Sequence, residues 1–120
     1  MLTLRMDHIG DMAIIECKGR IVRSDATLKL HEAVTAQQNV RIVVLDLTQV
    51  RALEGGGLGM LWFLQRWAEH HHIQFKLYNP INSVRDKLEH NHAMLRFDIV
   101  TFEEMMSSLD RAETEYAKAA

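Results

Sequence analysis

The residues most suggestive of chemistry are the glycines in the stretch Val50–Phe63, which reads VRALEGGGLGMLWF. Glycine-rich loops cradle phosphates in nucleotide-binding proteins, but only with further residues at fixed places. The loop of nucleoside triphosphatases needs a lysine and a serine or threonine after its last glycine, where this chain has Met60 and Leu61. The dinucleotide fingerprint needs glycine at its sixth position, which is Met60 when Gly55 is the first. The stretch therefore predicts no cofactor, and a strand-to-helix connection that is merely rich in glycine remains an alternative.

Three consecutive histidines, His70–His72, are the obvious candidates for a metal site. Neighbouring side chains on a helix diverge by about 100°, so three in a row do not converge on one ion. We therefore expect exposed histidines at a helix end and no metal site. The lone Cys17 has no identifiable activating base, and we expect it to pack as a small apolar side chain. With no catalytic constellation, the sequence predicts a protein that is not an enzyme.

Composition narrows the class of protein further. The chain has 120 residues, 48% of them hydrophobic, and a formal net charge of -2, which suits one domain with a substantial core. No basic stripe is present, so we expect no binding to nucleic acid. No apolar run is long enough to span a membrane and no signal-peptide pattern is present, so we expect no direct membrane insertion. A single cysteine favours a reduced compartment, and we expect a cytoplasmic protein.

Hydrophobic periodicity predicts the elements that position the glycine stretch. Apolar and polar residues alternate from Leu2 to Met6, and Gly10-Asp11 separates this segment from the next strand, which suggests a hairpin. The run VRIVVLDL, Val40–Leu47, is typical of a central strand covered on both faces. Further strands are predicted at 12–18, 73–78 and 97–100, with helices after residue 25, over 56–70, over 81–88 and after residue 101.

This order, β-β-α-β-α-β-α-β-α, predicts an α/β fold. We expect a mixed, mostly parallel sheet of about five strands with about four helices packed on it. Residues 1–112 form the predicted domain, and residues 113–120 a helix end or frayed tail. Ser24-Asp25 is a predicted cap of the first helix, and Thr101 with Glu104 forms a capping-box pattern that opens the last helix.

The helix after the glycines carries a second candidate feature. A helical wheel at 100° per residue predicts a buried face of apolar residues, comprising Met60, Leu61, Phe63, Leu64, Trp67 and Ala68. Leu58 and Trp62 fall instead within the polar arc, spaced i, i+4, beside the glycine loop. We interpret them as an exposed docking pair, because tryptophan is a frequent interface anchor. The alternative is that another part of the chain covers them.

Several motifs together resemble STAS domains, the sulfate-transporter and anti-sigma factor antagonist domains. The resemblance lies in VVLDLTQVRALEGGGLGMLWFL, in IQFKLYNP with the V-x-x-x-L helix after it, and in the GRI of residues 19–21. It covers residues 1 to about 109, and its order of strands and helices matches the order predicted above. It implies a non-enzymatic domain that binds another protein.

Members of the antagonist type bind an anti-sigma factor that is also a serine kinase, and phosphorylation of a serine or threonine just before the GLG controls that binding. In this chain Glu54 takes the acidic place of that loop, and Gly55 takes the place of the phosphorylated serine. Glycine has no hydroxyl, so the resemblance implies a module without the usual switch. Glu54 carries one negative charge but lacks the geometry of a phosphate.

The expected partner is an anti-sigma factor/serine kinase or a related regulatory protein. The residues expected to bind it are Ser24, Asp25, Glu54, Gly55, Gly56, Leu58 and Trp62. A STAS subunit bound to the cytoplasmic ATPase of a membrane transporter is the alternative function, and a small-ligand sensor using the loop amides is a weaker one. The sequence leaves a homodimer open.

Overall fold

The computed structural model describes residues 2–22, 25–91, 94–107 and 109–110. Its elements are β1 (Leu2–Ile9), β2 (Met12–Ile21), α1 (Asp25–Thr35), β3 (Ile42–Leu53), α2 (Gly57–His70), β4 (Gln74–Tyr78), α3 (Asn82–Glu89) and β5 (Ile99–Val100). Residues 102–107 and 109–110 are helical and form a fourth helical segment. The order confirms the predicted α/β class. The predicted tail, 113–120, lies outside the described residues.

The five strands form one sheet in the order β1-β2-β3-β4-β5. β1 and β2 pair antiparallel through a tight turn at Gly10, which has a φ of 57°, and every other pair is parallel. Parallel neighbours need a crossover connection, which α1, α2 and α3 supply between successive strands. The mixed, mostly parallel sheet is therefore confirmed, together with the opening hairpin.

The side chains of β3 alternate between two hydrophobic clusters on opposite faces of the sheet. Val43 and Leu45 join the larger cluster, which also contains the buried residues of α1, α2 and α3. Val44 joins a smaller cluster with Met12 and with Met105 of the last helical segment. Because both faces are covered here, the consecutive positions Ile42–Leu45 are all apolar, as expected for a central strand.

The strands differ in length from the prediction, and the first two are each three residues longer than predicted, β1 ending at Ile9 and β2 at Ile21. β3 continues beyond Leu47 to Leu53, because β2 extends to Ile21 and pairs with it to the end. Polar residues in this extension face solvent, so the sequence pattern did not identify it as part of a buried strand. β5 is limited to Ile99–Val100, although 97–100 is predicted.

The caps of the helices meet the predictions in part. The Glu104 backbone N–H donates to Thr101 Oγ1 at 3.2 Å, so the predicted cap of the last helix is present. α1 begins at Asp25, at the place predicted, whereas Ser24 lies outside the described residues. No helix of the described part of the chain is long and apolar enough to cross a membrane.

Candidate partner-binding site

The loop Glu54–Gly56 joins the end of β3 to the start of α2, and all three residues are exposed. The Glu54 N–H donates to the Ile21 carbonyl at 3.1 Å, and the Gly57 N–H donates to the Glu54 carbonyl at 3.0 Å. Gly55 has a φ of 56°, a conformation that strongly favours glycine. The first bond ties the loop to the end of β2, and the second closes a turn within the loop, whose residues face solvent.

Two cations flank the Glu54 carboxylate. Arg20, at the end of β2, places a guanidinium nitrogen 3.4 Å from one carboxylate oxygen, and Lys87 of α3 lies 3.9 Å from the other. All three side chains are about half exposed, so each ion pair stabilises the fold by no more than about 1 kcal/mol. Such weak pairs exchange readily for charges of another molecule. Sequence reasoning found Glu54 but missed Arg20 and Lys87, which reach it only through the fold.

The two glycines of the GLG motif have different surroundings. A Cβ atom on Gly57 would lie 2.3 Å from the Ile21 carbonyl oxygen and 2.9 Å from Leu53 Cδ1. A Cβ atom on Gly59 would meet nothing within 4 Å. Gly57 therefore allows α2 to begin in close contact with the sheet, and Gly59 has no such packing role.

The predicted exposed pair on α2 needs correction. Leu58 is only partly exposed and packs against the larger cluster, and Trp62 is also half-buried. Neither side chain is sealed in the interior. Phe63, which the wheel assigns to the core, is instead 49% exposed.

A shift in the centre of the buried arc explains the partial burial of Leu58 and the exposure of Phe63. The buried residues of α2 are Gly57, Leu61, Leu64 and Ala68, so the helix packs along the side that contains Gly57. Phe63 points roughly 130° away from the middle of that side. Gly57 has no side chain and therefore did not influence the face predicted by the helical wheel. Its close contact with the end of β2 nevertheless sets the orientation of the helix.

Cys17 and Asp46 occupy structural positions in β2 and β3. Cys17 is 2% exposed within the larger cluster, as expected for a small apolar side chain. Burial, and secondarily the charge of Asp46, raise the pKa of the Cys17 thiol from 9.0 to about 12. Asp46 Oδ1 accepts a hydrogen bond from the Thr48 N–H at 2.9 Å, so the carboxylate bonds a backbone amide within β3.

The histidines at the end of α2 are exposed. The His71 ring stacks on Trp67 with centroids 4.5 Å apart, and its Nδ1 lies 2.8 Å from the Trp67 carbonyl oxygen. Within the described ranges, no three His, Cys, Asp or Glu side chains are grouped so as to hold a metal ion.

Solved structures of other proteins share this fold at low sequence identity. The anti-sigma factor antagonist SpoIIAA in its unphosphorylated form gives a TM-score of 0.72 at 14% identity, over 91% of this chain and 97% of SpoIIAA. The Bacillus SpoIIAA in its phosphorylated form gives 0.67 at 14% identity, over 89% and 99% of the two chains. An anti-sigma factor antagonist from Mycobacterium paratuberculosis gives 0.67 at 17% identity, over 92% and 95%.

No protein-family model matches the sequence, and no curated protein matches it. The fold is nevertheless that of the anti-sigma factor antagonists, as the STAS resemblance predicts, and the superposition covers nearly the whole chain. At these identities the likeness shows the fold alone.

Proposed function

We propose that this protein is a non-enzymatic regulatory module that binds an anti-sigma factor or a related regulatory protein. The observation that carries the proposal is the fold, which matches an anti-sigma factor antagonist over 91% of the chain with a TM-score of 0.72. The exposed loop Glu54–Gly56 and the first turns of α2 provide the contact surface, together with Ser24 and Asp25.

The loop suits a docking role for two physical reasons. Its exposed glycines let a partner's backbone approach closely, because no side chain lies in the way. The α2 N-terminus also lacks a side-chain cap, since Gly56 has none to offer. On binding, cationic or donor groups of the partner would replace Arg20 and Lys87 as the neighbours of the Glu54 carboxylate.

Binding in this proposal is not switched by phosphorylation at the loop. Gly55 has no hydroxyl to accept a phosphate, and its positive φ disfavours any other residue by roughly 1–2 kcal/mol. Glu54 contributes one fixed negative charge, held between Arg20 and Lys87. The protein would therefore stay competent to bind in the presence of ATP and a kinase.

Titration calorimetry with the purified anti-sigma factors encoded in the source genome tests this function. We expect one of them to bind with the same affinity after incubation with ATP as before it. The Gly55→Ser variant should bind similarly without ATP, and should become a kinase substrate and lose affinity with ATP. Loss of affinity of the unmodified protein after incubation with ATP and the kinase, or absence of binding to every anti-sigma factor, would refute the proposal.

Gly59→Ser is the matched control. It adds the same hydroxyl one turn along the helix, where the space is open. Because the kinase must recognise the loop position, this variant should not be phosphorylated and should keep its affinity with ATP. Equal phosphorylation of both variants would show that the kinase does not distinguish position 55 from position 59.

A further inference from the structure

A groove of about 520 Å³ runs along the outer side of α2, beyond the loop Glu54–Gly56. It is lined by Trp62, Phe63, Arg66, Trp67, His70 and His71, and we call it the aromatic groove. Both tryptophans of the chain lie in it. The groove lies beyond the loop surface of the proposed function and shares only Trp62 with it.

The aromatic groove has the composition of a protein-binding surface. Phe63 is 49% exposed, and both tryptophans are half-buried with part of each indole open to solvent. Tryptophan, phenylalanine and arginine are the residues most enriched at interfaces, and an exposed cluster of them is uncommon on a free surface. The groove therefore favours an occupant that buries apolar side chains.

The apolar surface continues onto α1. The His31 ring packs against the Phe63 ring with centroids 5.0 Å apart, which joins the two helices at the edge of the groove. Leu28, three residues earlier on the same flank of α1, is 52% exposed. The result is an elongated apolar strip between two helices, a shape that suits a third helix.

Among the described residues that line the groove, the one fixed charge is positive. It belongs to the exposed Arg66, which holds its guanidinium 5.7 Å from the centroid of the Trp62 ring. Among the described residues that line the groove none is acidic, and the exposed His70 ring adds a group that can donate to a carboxylate. Glu69 belongs to the same helix but lies outside the lining.

We propose that the aromatic groove binds an acidic amphipathic helix of the partner protein, with apolar side chains against Trp62, Phe63 and Trp67 and a carboxylate on Arg66. The proposal deepens the proposed function, on which it rests, by giving the partner a second contact. An arginine that lies over an aromatic ring can still donate two hydrogen bonds from its edge to a carboxylate.

A displayed library of helical peptides tests this proposal on the full chain. The peptides carry apolar residues at spacings of three and four and random residues elsewhere, and binders are titrated against the protein by tryptophan fluorescence. Because both tryptophans line the groove, occupation should change the emission of the protein. We expect binders enriched in Asp and Glu, with affinity lowered about tenfold or more by Phe63→Ser and by Arg66→Glu.

The chain offers matched controls for both variants. Phe102 is 64% exposed and lies outside the groove lining, so Phe102→Ser removes an equivalent ring elsewhere and should leave affinity unchanged. Arg51→Glu makes the same charge reversal at an exposed site on β3, outside the lining. Thermal melts of all four variants should show that each retains its fold.

Three results would overturn the proposal: absence of binders, binders without acidic enrichment, or binders insensitive to Phe63→Ser. Sedimentation gives a fourth, a dimer of this chain that Phe63→Ser dissociates, which would make the occupant a second copy. These outcomes are separable from failure of the proposed function. Peptide binding without affinity for any anti-sigma factor would support the groove proposal and refute the proposed function. Binding to an anti-sigma factor without any peptide binding would refute the groove proposal alone.

Discussion

The two sides of α2 contain similar residues in contrasting surroundings. On the inner side, Gly57 and Leu64 are buried against the sheet, and on the outer side, Gly59 and Phe63 are exposed to solvent. Each side has a glycine and a large apolar residue, so residue type alone does not separate them. The direction of each side chain relative to the sheet decides whether it stabilises the fold or is available to a partner.

The largest expected effect belongs to the inner side. Leu64→Ala removes a side chain with no exposed surface from the larger cluster, and should lower the free energy of unfolding by about 2–5 kcal/mol. Urea denaturation followed by circular dichroism measures this loss. A loss of about 0.5 kcal/mol, typical of a surface position, would show that α2 does not pack along this side.

Gly57→Ala is the next largest perturbation. The added methyl group would lie 2.3 Å from the Ile21 carbonyl oxygen, so α2 must move away from the end of β2. We expect a loss of roughly 1–3 kcal/mol, although alanine favours the helix itself. The same denaturation experiment applies, and unchanged or increased stability would mean that this close contact is absent.

Cys17 of β2 lies in the larger cluster, against which the inner side of α2 packs, and it gives a pH-dependent measure of that burial. Its pKa is raised from 9.0 to about 12 in the folded protein, so above pH 9 the unfolded chain loses a proton that the folded chain keeps. Stability contributed by this difference is complete below pH 9.0 and is lost as pH rises towards 12, by at most about 1.4 kcal/mol per pH unit. We therefore expect wild-type stability to fall more steeply than that of Cys17→Ala between pH 9 and 10.

The comparison of the two curves removes contributions from other groups that titrate in the same range. Identical slopes for wild type and Cys17→Ala would mean that the thiol titrates alike in the folded and unfolded states. It would then not lie in the core beneath α2.

Most of the fold was predictable because periodicity records which faces of an element are covered. The run VRIVVLDL is apolar at consecutive positions since β3 contributes Val43 to one cluster and Val44 to the other. The end of β3 was not predictable in this way. Beyond Leu47 only one face of the strand is covered, and the length of β3 depends on pairing with β2, which is distant in sequence.

The candidate site was predictable only in part, for a related reason. The glycine loop and Glu54 are visible in the sequence, whereas the ion pairs of Glu54 with Arg20 and Lys87 exist only in the folded chain. The exposed position of Phe63 depends on where α2 contacts the sheet, and that contact is made through Gly57, a residue without a side chain. A wheel weighted by hydrophobicity gives such a residue no influence on the direction it predicts.

The smallest expected effect, Gly59→Ala, sharpens the comparison because it makes the same chemical change as Gly57→Ala on the opposite side of α2. The added methyl group meets nothing within 4 Å, so no packing term opposes it. Alanine restricts the unfolded chain and favours the helix, and stability should rise by roughly 0.5–1 kcal/mol. Thermal melts of wild type and both variants measure the two changes in stability, which we expect to have opposite signs. A loss of stability for Gly59→Ala would show that the outer side of α2 is covered, in which case the aromatic groove would lose its access to a partner.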